Sequence, residues 1–325
     1  MASFEYFKPL GNAWDRMASM LFRPFEMDSW LKLGFFAWLC YIFQGASINV
    51  IRFSSNIASS EMENAAKAGK SSDLVAMFMH PTGEQLALMI GIGLAIALLL
   101  LAIELAFLWI RCRGRFIFIH GIVKGPDIRF LESWRAFSKQ GNSLFLLTIV
   151  WSILKALLLL PPLALAVYFV VINILGMDSL PQDKQVLNWV LAGVSALMLL
   201  IFAIGVGVLQ IFMFELGAIH MYRNGSSAWT GAMKGLGFAM ANPAHALLYL
   251  LSLICIAMAI SAATIFVVIA TIPLCCIGCI LLNLPYAWAV VLLPAFAFRQ
   301  LFTIEFIAQA GEEFQLFATQ EERAK

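Results

Sequence analysis

The sequence predicts an all-α integral membrane protein with about six transmembrane helices, arranged as three hairpins that are each preceded by an amphipathic interfacial helix. Two observations carry this prediction. The 325 residues are 62% hydrophobic and 12% charged, with a mean hydropathy of +0.88, whereas a soluble chain of this length needs more polar residues to cover its surface. The cationic residues are concentrated in connectors between long apolar segments, as in multi-span membrane proteins.

The first unit combines an interfacial helix with two spans. Asn12 is the predicted N-cap of the interfacial helix, and Pro24 is its predicted end. The predicted apolar face consists of Trp14, Met17, Ala18 and Leu21. Residues 30–51 and 86–110 are each long enough to cross a hydrocarbon layer of roughly 30 Å. The polar residues 52–85 between them form the predicted outer loop, and no signal peptide is expected at the N-terminus.

A basic connector, residues 111–142, follows the second span and holds seven Lys or Arg residues against two acids. We interpret it as a cytoplasmic hinge. A second interfacial helix is predicted within it, after Asp127, and Gly141 and Asn142 are expected to end that helix. Its predicted apolar face consists of Ile128, Leu131, Trp134 and Phe137.

The second unit continues with an apolar segment, residues 143–176, that contains Lys155 and the pair Pro161–Pro162. Two prolines remove two backbone donors, so the helix is predicted to break or kink there. A break could line a transport cavity, whereas a kink has no functional implication. A short outer turn and a fourth span, residues 187–214, complete the unit.

The third unit begins with an interfacial helix that starts at Ser226 or Ser227 and ends at Asn242–Pro243. Its predicted apolar face consists of Trp229, Ala232, Met233, Leu236 and Met240. Residues 245–270 and 286–309 are the fifth and sixth spans. The apolar residues 271–284 between them are an outer segment, or alternatively a seventh crossing.

Sidedness follows from the distribution of Lys and Arg. With six spans, the interfacial helices, the basic connector and the tail fall on the cation-rich side, which the positive-inside rule places in the cytoplasm. Both termini are therefore predicted to be cytoplasmic, with the charged tail, residues 311–325, in water. The whole chain, residues 1–325, is interpreted as a single membrane domain.

A threefold internal repeat is predicted over residues 11–110, 126–215 and 226–310. Three pairs of residues recur at an offset of 100 positions: His120 and His220, Gly125 and Gly225, and Asn142 and Asn242. Trp134 and Trp229 break that register by five positions. The repeat is therefore clearer as architecture than as sequence.

Three acids recur near the inner ends of the even spans, and they have two interpretations. Glu104, Glu215 and Glu305, together with Lys155, could form an intramembrane ion or proton path. Alternatively, each carboxylate pairs with a nearby arginine or with a donor on an interfacial helix. The arginines named by this alternative are Arg111, Arg223 and Arg299.

The basic connector supplies a candidate set of contacts to lipid headgroups. The set consists of Arg111, Arg113, Arg115, Lys124, Arg129, Arg135 and Lys139. Membrane lipids, and other membrane proteins, are the expected partners. Nucleic acid is not, because these residues are not interleaved with stacking aromatics.

No catalytic, metal or cofactor motif stands out. Neither HExxH nor GxSxG occurs, so an enzyme is not expected. Cys276 and Cys279 have redox-motif spacing without a βαβ context, and either packing or a disulfide fits them. His120 and His220 could meet if the repeats pack face to face, but two histidines do not make a metal site.

Two stretches carry a resemblance: AWDRMASMLFRPFEMDSWLKLGFFAWL, residues 13–39, and RGRFIFIHGIVKGPDIRFLESWRAFSKQGNSLFL, residues 113–146. They resemble an uncharacterised family of bacterial multi-span membrane proteins, distantly similar to the membrane domain of glycerophosphodiester phosphodiesterases. The resemblance implies a six-span fold in the bacterial inner membrane and no established activity. Because the His-Arg-Gly motif of the phosphodiesterase domain does not occur here, hydrolysis is not implied.

The sequence thus favours a non-catalytic inner-membrane protein, a scaffold or subunit associated with lipids or with a membrane complex. The alternative is a secondary transporter or lipid exporter that uses the intramembrane acids and Lys155.

Overall fold

The computed structural model describes residues 5, 7–41, 83–175, 182–271 and 285–317, and the regular structure within these ranges is entirely helical. Its α-helices are α1 (Phe7–Phe22), α2 (Met27–Tyr41), α3 (Gly83–Lys124), α4 (Phe130–Ala136), α5 (Ser138–Leu175), α6 (Gln182–Gln210), α7 (Gly217–Asn224), α8 (Ala228–Ala241), α9 (Pro243–Thr271), α10 (Pro285–Val291) and α11 (Leu293–Ala308). A π-helical segment, Ile211–Leu216, joins α6 to α7, and a 3-10 turn, Glu312–Phe314, follows α11.

Four helical stretches in this part of the chain are long and apolar enough to cross a membrane. They are Leu86–Lys124, Ser138–Ile172, Val186–Asn224 and Pro243–Phe266. The predicted first span is described only as far as Tyr41, and the predicted sixth span is divided at Leu292 between α10 and α11. Six spans in three hairpins therefore stays a prediction.

Helix α3 corrects the predicted hinge. The helix was expected to end at Ile110, yet it continues to Lys124 and is 42 residues long in total, a length of about 63 Å at 1.5 Å per residue. Gly125, with a φ of 99°, follows its last turn. The physical reason is that no helix-ending Gly-Pro pair occurs before Gly125–Pro126, and that residues 116–119 are completely buried by neighbouring helices.

Helix α5 is continuous across Pro161–Pro162, so of the two outcomes predicted there the break does not occur, and the kink stays a prediction. One helix runs from Ser138 to Leu175 with both prolines inside it. A helix in an apolar setting tolerates proline when its remaining hydrogen bonds are kept. The discontinuity that would have favoured a transport cavity is therefore absent.

The interfacial helices were predicted with mixed success. Pro24 follows the end of α1 as expected, and the Ser227 side chain caps α8 by accepting from the Thr230 N–H at 3.3 Å. However, α1 begins at Phe7, so Asn12 lies inside it rather than at its cap. Helix α4 ends at Ala136, and Gly141 belongs to α5.

The apolar faces predicted for the membrane surface are divided in the structure. Trp14 is 59% exposed, Leu131 67% and Trp229 62%, whereas Met17 and Ala232 from the same predicted faces are buried by protein. The face of α8 that packs against the protein consists of Ala228, Gly231, Ala232, Gly235 and Phe238. Small side chains permit close helix approach, which leaves the large apolar side chains pointing away from the core.

The buried core lies at the basic end of the molecule. Side chains from α1, α2, the second half of α3, the π-helical segment, α9 and α11 form one cluster. In contrast, α3 is exposed along residues 86–106, apart from one undescribed side chain. The long helices therefore meet at one end, where charged residues are also concentrated.

The predicted solvated tail requires a correction, because Phe314 in the 3-10 turn is only 2% exposed. The last eight residues of the tail, 318–325, lie outside the described ranges. So do nearly all of the predicted outer loop, the outer segment 272–284 and the pair Cys276 and Cys279.

Candidate functional site

Glu215 is the centre of the most elaborate charged cluster in the described part of the chain. Its Oε2 lies 3.0 Å from Arg115 Nη2 on α3, and its Oε1 accepts from Arg299 Nη2 on α11 at 2.8 Å. The three side chains are 19–29% exposed. One carboxylate thus joins three helical elements, and the triad carries one net positive charge.

The π-helical segment positions this carboxylate. Such segments are rare and frequently occur at functional sites, because an extra residue within one turn shifts the side chains that follow. Helix α8 packs tightly here: a Cβ at Gly235 would overlap the Phe212 carbonyl oxygen, and one at Gly231 would lie 2.7 Å from the Gly217 oxygen. The segment and α8 therefore fix Glu215 as one packed unit.

Glu305 forms a second charged cluster. Its Oε1 lies 2.6 Å from Arg16 Nε, and its Oε2 accepts from Asn12 Nδ2 at 3.3 Å. Both donors are on α1, so this carboxylate attaches the first helix of the chain to α11. The Arg16 guanidinium also lies 3.9 Å from the centre of the Phe317 ring, a cation–π distance.

The other two residues of the predicted ion path behave differently. Glu104 is exposed on α3, and Lys155 is half-buried on α5. Neither has an ion pair with another described residue. The four residues predicted for the path are therefore not together: Glu215 binds two arginines, Glu305 binds one, and neither cluster includes Glu104 or Lys155.

The comparisons with known proteins give one result. A family of unknown function, DUF7544, matches residues 5–311. The chain belongs to this family. No curated protein matches the chain, and no solved structure does. The comparisons therefore show no similarity to glycerophosphodiester phosphodiesterases, and they name no activity.

The seven basic residues of the connector have different surroundings in this DUF7544 chain. Arg115 belongs to the Glu215 triad, and Arg129 pairs with Glu132 at 2.9 Å on an exposed surface. Arg113 instead packs on Trp109 and Trp134. No ion pair to another described residue involves Arg111, Lys124, Arg135 or Lys139.

His120 and His220 lie in separate hydrogen-bonding sites. His120 Nδ1 is 2.8 Å from the Tyr222 hydroxyl, and His220 Nδ1 is 3.0 Å from the Ser226 hydroxyl. Across the described ranges, no group of three His, Cys, Asp or Glu residues is arranged to hold a metal ion. Cys40, Cys112 and Cys255 are free thiols.

A cavity of about 240 Å³ lies beside the Glu305 cluster. It is formed by α1, the end of α3, α11 and the tail, and Arg16, Ser19, Ile122, Leu301 and Phe317 contribute to its walls. Its one charged wall residue, Arg16, is already bound to Glu305.

Sequence reasoning missed the contacts made by the tail. Glu313 lies 2.9 Å from Lys234 Nζ and 3.5 Å from His220 Nε2, and its backbone oxygen accepts from Asn224 Nδ2 at 2.9 Å. Phe314 packs against the His220 ring. The acid-rich composition of the tail favours a solvated segment, and the aromatic residues Phe314 and Phe317 are the signal against that interpretation.

These contacts make tail docking dependent on pH. The hydrogen bond from Lys234 is the main cause that holds the pKa of Glu313 below its ordinary value of 4.5, with a further contribution from His220. A lowered pKa stabilises the docked state above pH about 4.5, and that stabilisation is lost as the pH falls through the lower folded value. The rate of hydrogen exchange of residues 311–317, corrected for intrinsic rates, should therefore rise as the pH falls from about 6 to about 3.

The matched control for this prediction is Lys234→Gln. Its tail should already exchange faster at pH 6 and should change less on acidification. Equal pH dependence in the two proteins would contradict a role for the Glu313 pair.

Proposed function

We propose that this protein is a non-catalytic integral membrane component, a scaffold or subunit that associates with membrane lipids or with a membrane complex. The observation that carries the proposal is how the charged core residues are used. Arg115, Glu215 and Arg299 connect three helical elements, and Arg16 with Glu305 connects a fourth. Each acid in these clusters is bound to an arginine, and charges within apolar segments are usually paired in this way.

The proposal includes six spans in three hairpins, with both termini in the cytoplasm of a bacterial cell and the chain in its inner membrane. It also includes the threefold repeat. The packing order supports this arrangement: α8 packs on the π-helical segment and α7, which precede it, and α1 packs on α11 at the other end of the chain. Each of these interfacial helices thus packs on the even helix of another unit.

The predicted transport path gives the proposal its sharpest test. Glu215→Gln is unsuitable, because loss of the triad would change folding as well as flux. Glu104 and Lys155 are the informative residues, since their substitution disturbs no ion pair with a described residue. We expect proteoliposomes containing the wild-type protein to show no ion-coupled or lipid flux beyond empty vesicles.

The accompanying measurement is a pull-down from native membranes with identification of bound proteins and lipids. Stable co-purification of a membrane protein, without flux, is the result expected for a scaffold or subunit. Flux that is present in the wild type and lost in Glu104→Gln or Lys155→Met would overturn the proposal and favour the transporter. The predicted similarity to the membrane domain of glycerophosphodiester phosphodiesterases stays a prediction, and it adds no activity.

A further inference from the structure

We infer that Arg113, held in a clamp formed by Trp109, Trp134 and Asn142, binds the phosphate of an anionic membrane lipid. This inference rests on the lipid association in the proposed function and deepens it, because it assigns one lipid site and one class of headgroup. The lipid site can be present whether the protein is a scaffold or a transporter.

The clamp is built by three helices. The Arg113 guanidinium carbon lies 4.2 Å from the Trp109 ring centre on α3 and 5.1 Å from the Trp134 ring centre on α4. The two indoles meet edge to face, with ring centres 5.6 Å apart. On α5, the Asn142 Oδ1 accepts from Arg113 Nε at 3.3 Å, from Arg113 Nη2 at 3.0 Å and from Trp109 Nε1 at 3.0 Å.

This environment orients the guanidinium without neutralising it. Its contacts are two aromatic faces and a neutral amide, and no described acid lies within ion-pair distance. Arg115 and Arg129, in the same connector, are each paired with a glutamate. A guanidinium presents donors in a fixed planar fork that matches phosphate geometry. Of these three arginines, Arg113 is therefore the one whose guanidinium is held in place without a neighbouring carboxylate.

Two helices place the clamp at the edge of the apolar layer. On α3, residues are exposed up to Ala106, and Trp109 and Arg113 follow within the next two turns. On α5, which runs away from the connector, Leu146 is 62% exposed one turn after Asn142. Tryptophan is enriched at the level of lipid headgroups, so a lipid phosphate is the anion that can reach this position.

A net negative lipid is favoured over a zwitterionic one for an electrostatic reason. Lys139 precedes Asn142 by three positions, hence on the same face of α5, and it has no ion pair with a described residue. A choline headgroup would bring its own cation toward these side chains. Phosphatidylglycerol has the phosphate without that cation.

The test measures lipid retention in nanodiscs of phosphatidylglycerol and phosphatidylcholine by native mass spectrometry. The wild type should retain phosphatidylglycerol preferentially, and Arg113→Gln should reduce that preference about tenfold, the scale of one charge-assisted hydrogen bond. The matched control is Arg223→Gln, which removes an exposed arginine outside the basic connector and should leave the preference unchanged. Equal loss in both variants would overturn the site.

A wild-type measurement keeps the inference testable if Arg113→Gln does not fold. A phosphatidylglycerol analogue with a photoreactive headgroup should crosslink within residues 109–146, and crosslinks confined to other regions would overturn the site. Soluble glycerol phosphate, added in excess, should not displace the lipid. Full displacement would show that a free phosphate suffices and would overturn the assignment to a lipid.

Discussion

Glu215→Gln should lower the free energy of unfolding by about 3 kcal/mol, at the lower end of the cost of breaking a buried ion pair by removing one partner. The neutral amide keeps the shape of the side chain but leaves Arg115 and Arg299 facing each other without a carboxylate. Their mutual repulsion adds to the lost hydrogen bonds. Titration with SDS in mixed micelles, followed by tryptophan fluorescence, measures the change.

Glu132→Gln is the matched control for this substitution. Glu132 also binds an arginine, Arg129, but the two side chains are 70% and 82% exposed. Exposed pairs contribute less than about 1 kcal/mol, so this variant should unfold almost like the wild type. If the two substitutions had equal effects, the Glu215 triad would not be the stabilising centre of the core.

The pairing of Glu215 shows how far sequence reasoning reached. An acid near the inner end of an apolar segment needs a partner, and Arg299 was among the candidates named. Residues 111–142 are predicted to be a hinge, which places Arg115 at the membrane surface instead. The charge of the segment is misleading: a dense basic segment is typical of a connector, although its first Gly-Pro pair is Gly125–Pro126.

The Glu305 pair was less accessible to prediction. Its partners, Arg16 and Asn12, lie almost 300 positions away along the chain. Nothing in a local pattern indicates that the first helix packs on the last one. Asn12 was interpreted as a cap because the residue type favours caps, whereas tertiary contact with the carboxylate determines its role.

The interfacial helices illustrate a limit of hydrophobic periodicity. The period identifies a helix and its apolar residues, and it located α1 and α8 well. It does not distinguish the face that meets protein from the face that meets a membrane surface. In α8 the large residues Trp229 and Met240 point outward, while Gly231 and Gly235 make the closest approach.

Gly235→Ala should therefore destabilise the protein by about 3 kcal/mol, the upper part of the usual range for overpacking a filled core. The added methyl group would overlap the Phe212 carbonyl oxygen, which belongs to the backbone and cannot rotate away. Either α8 or the π-helical segment must move. The same SDS titration measures the loss.

Gly237→Ala provides a control in the same helix, because no atom lies within 4 Å of a Cβ at that position. Alanine is a better helix former than glycine by up to about 1 kcal/mol, so this variant should be equal to or more stable than the wild type.

The double variant Gly235→Ala, Glu215→Gln should lose less stability than the two single losses combined. This follows because displacement of the segment by the methyl group already weakens the contacts of Glu215 with Arg115 and Arg299. Full additivity would instead mean that the packing of α8 and the charged triad stabilise the protein independently.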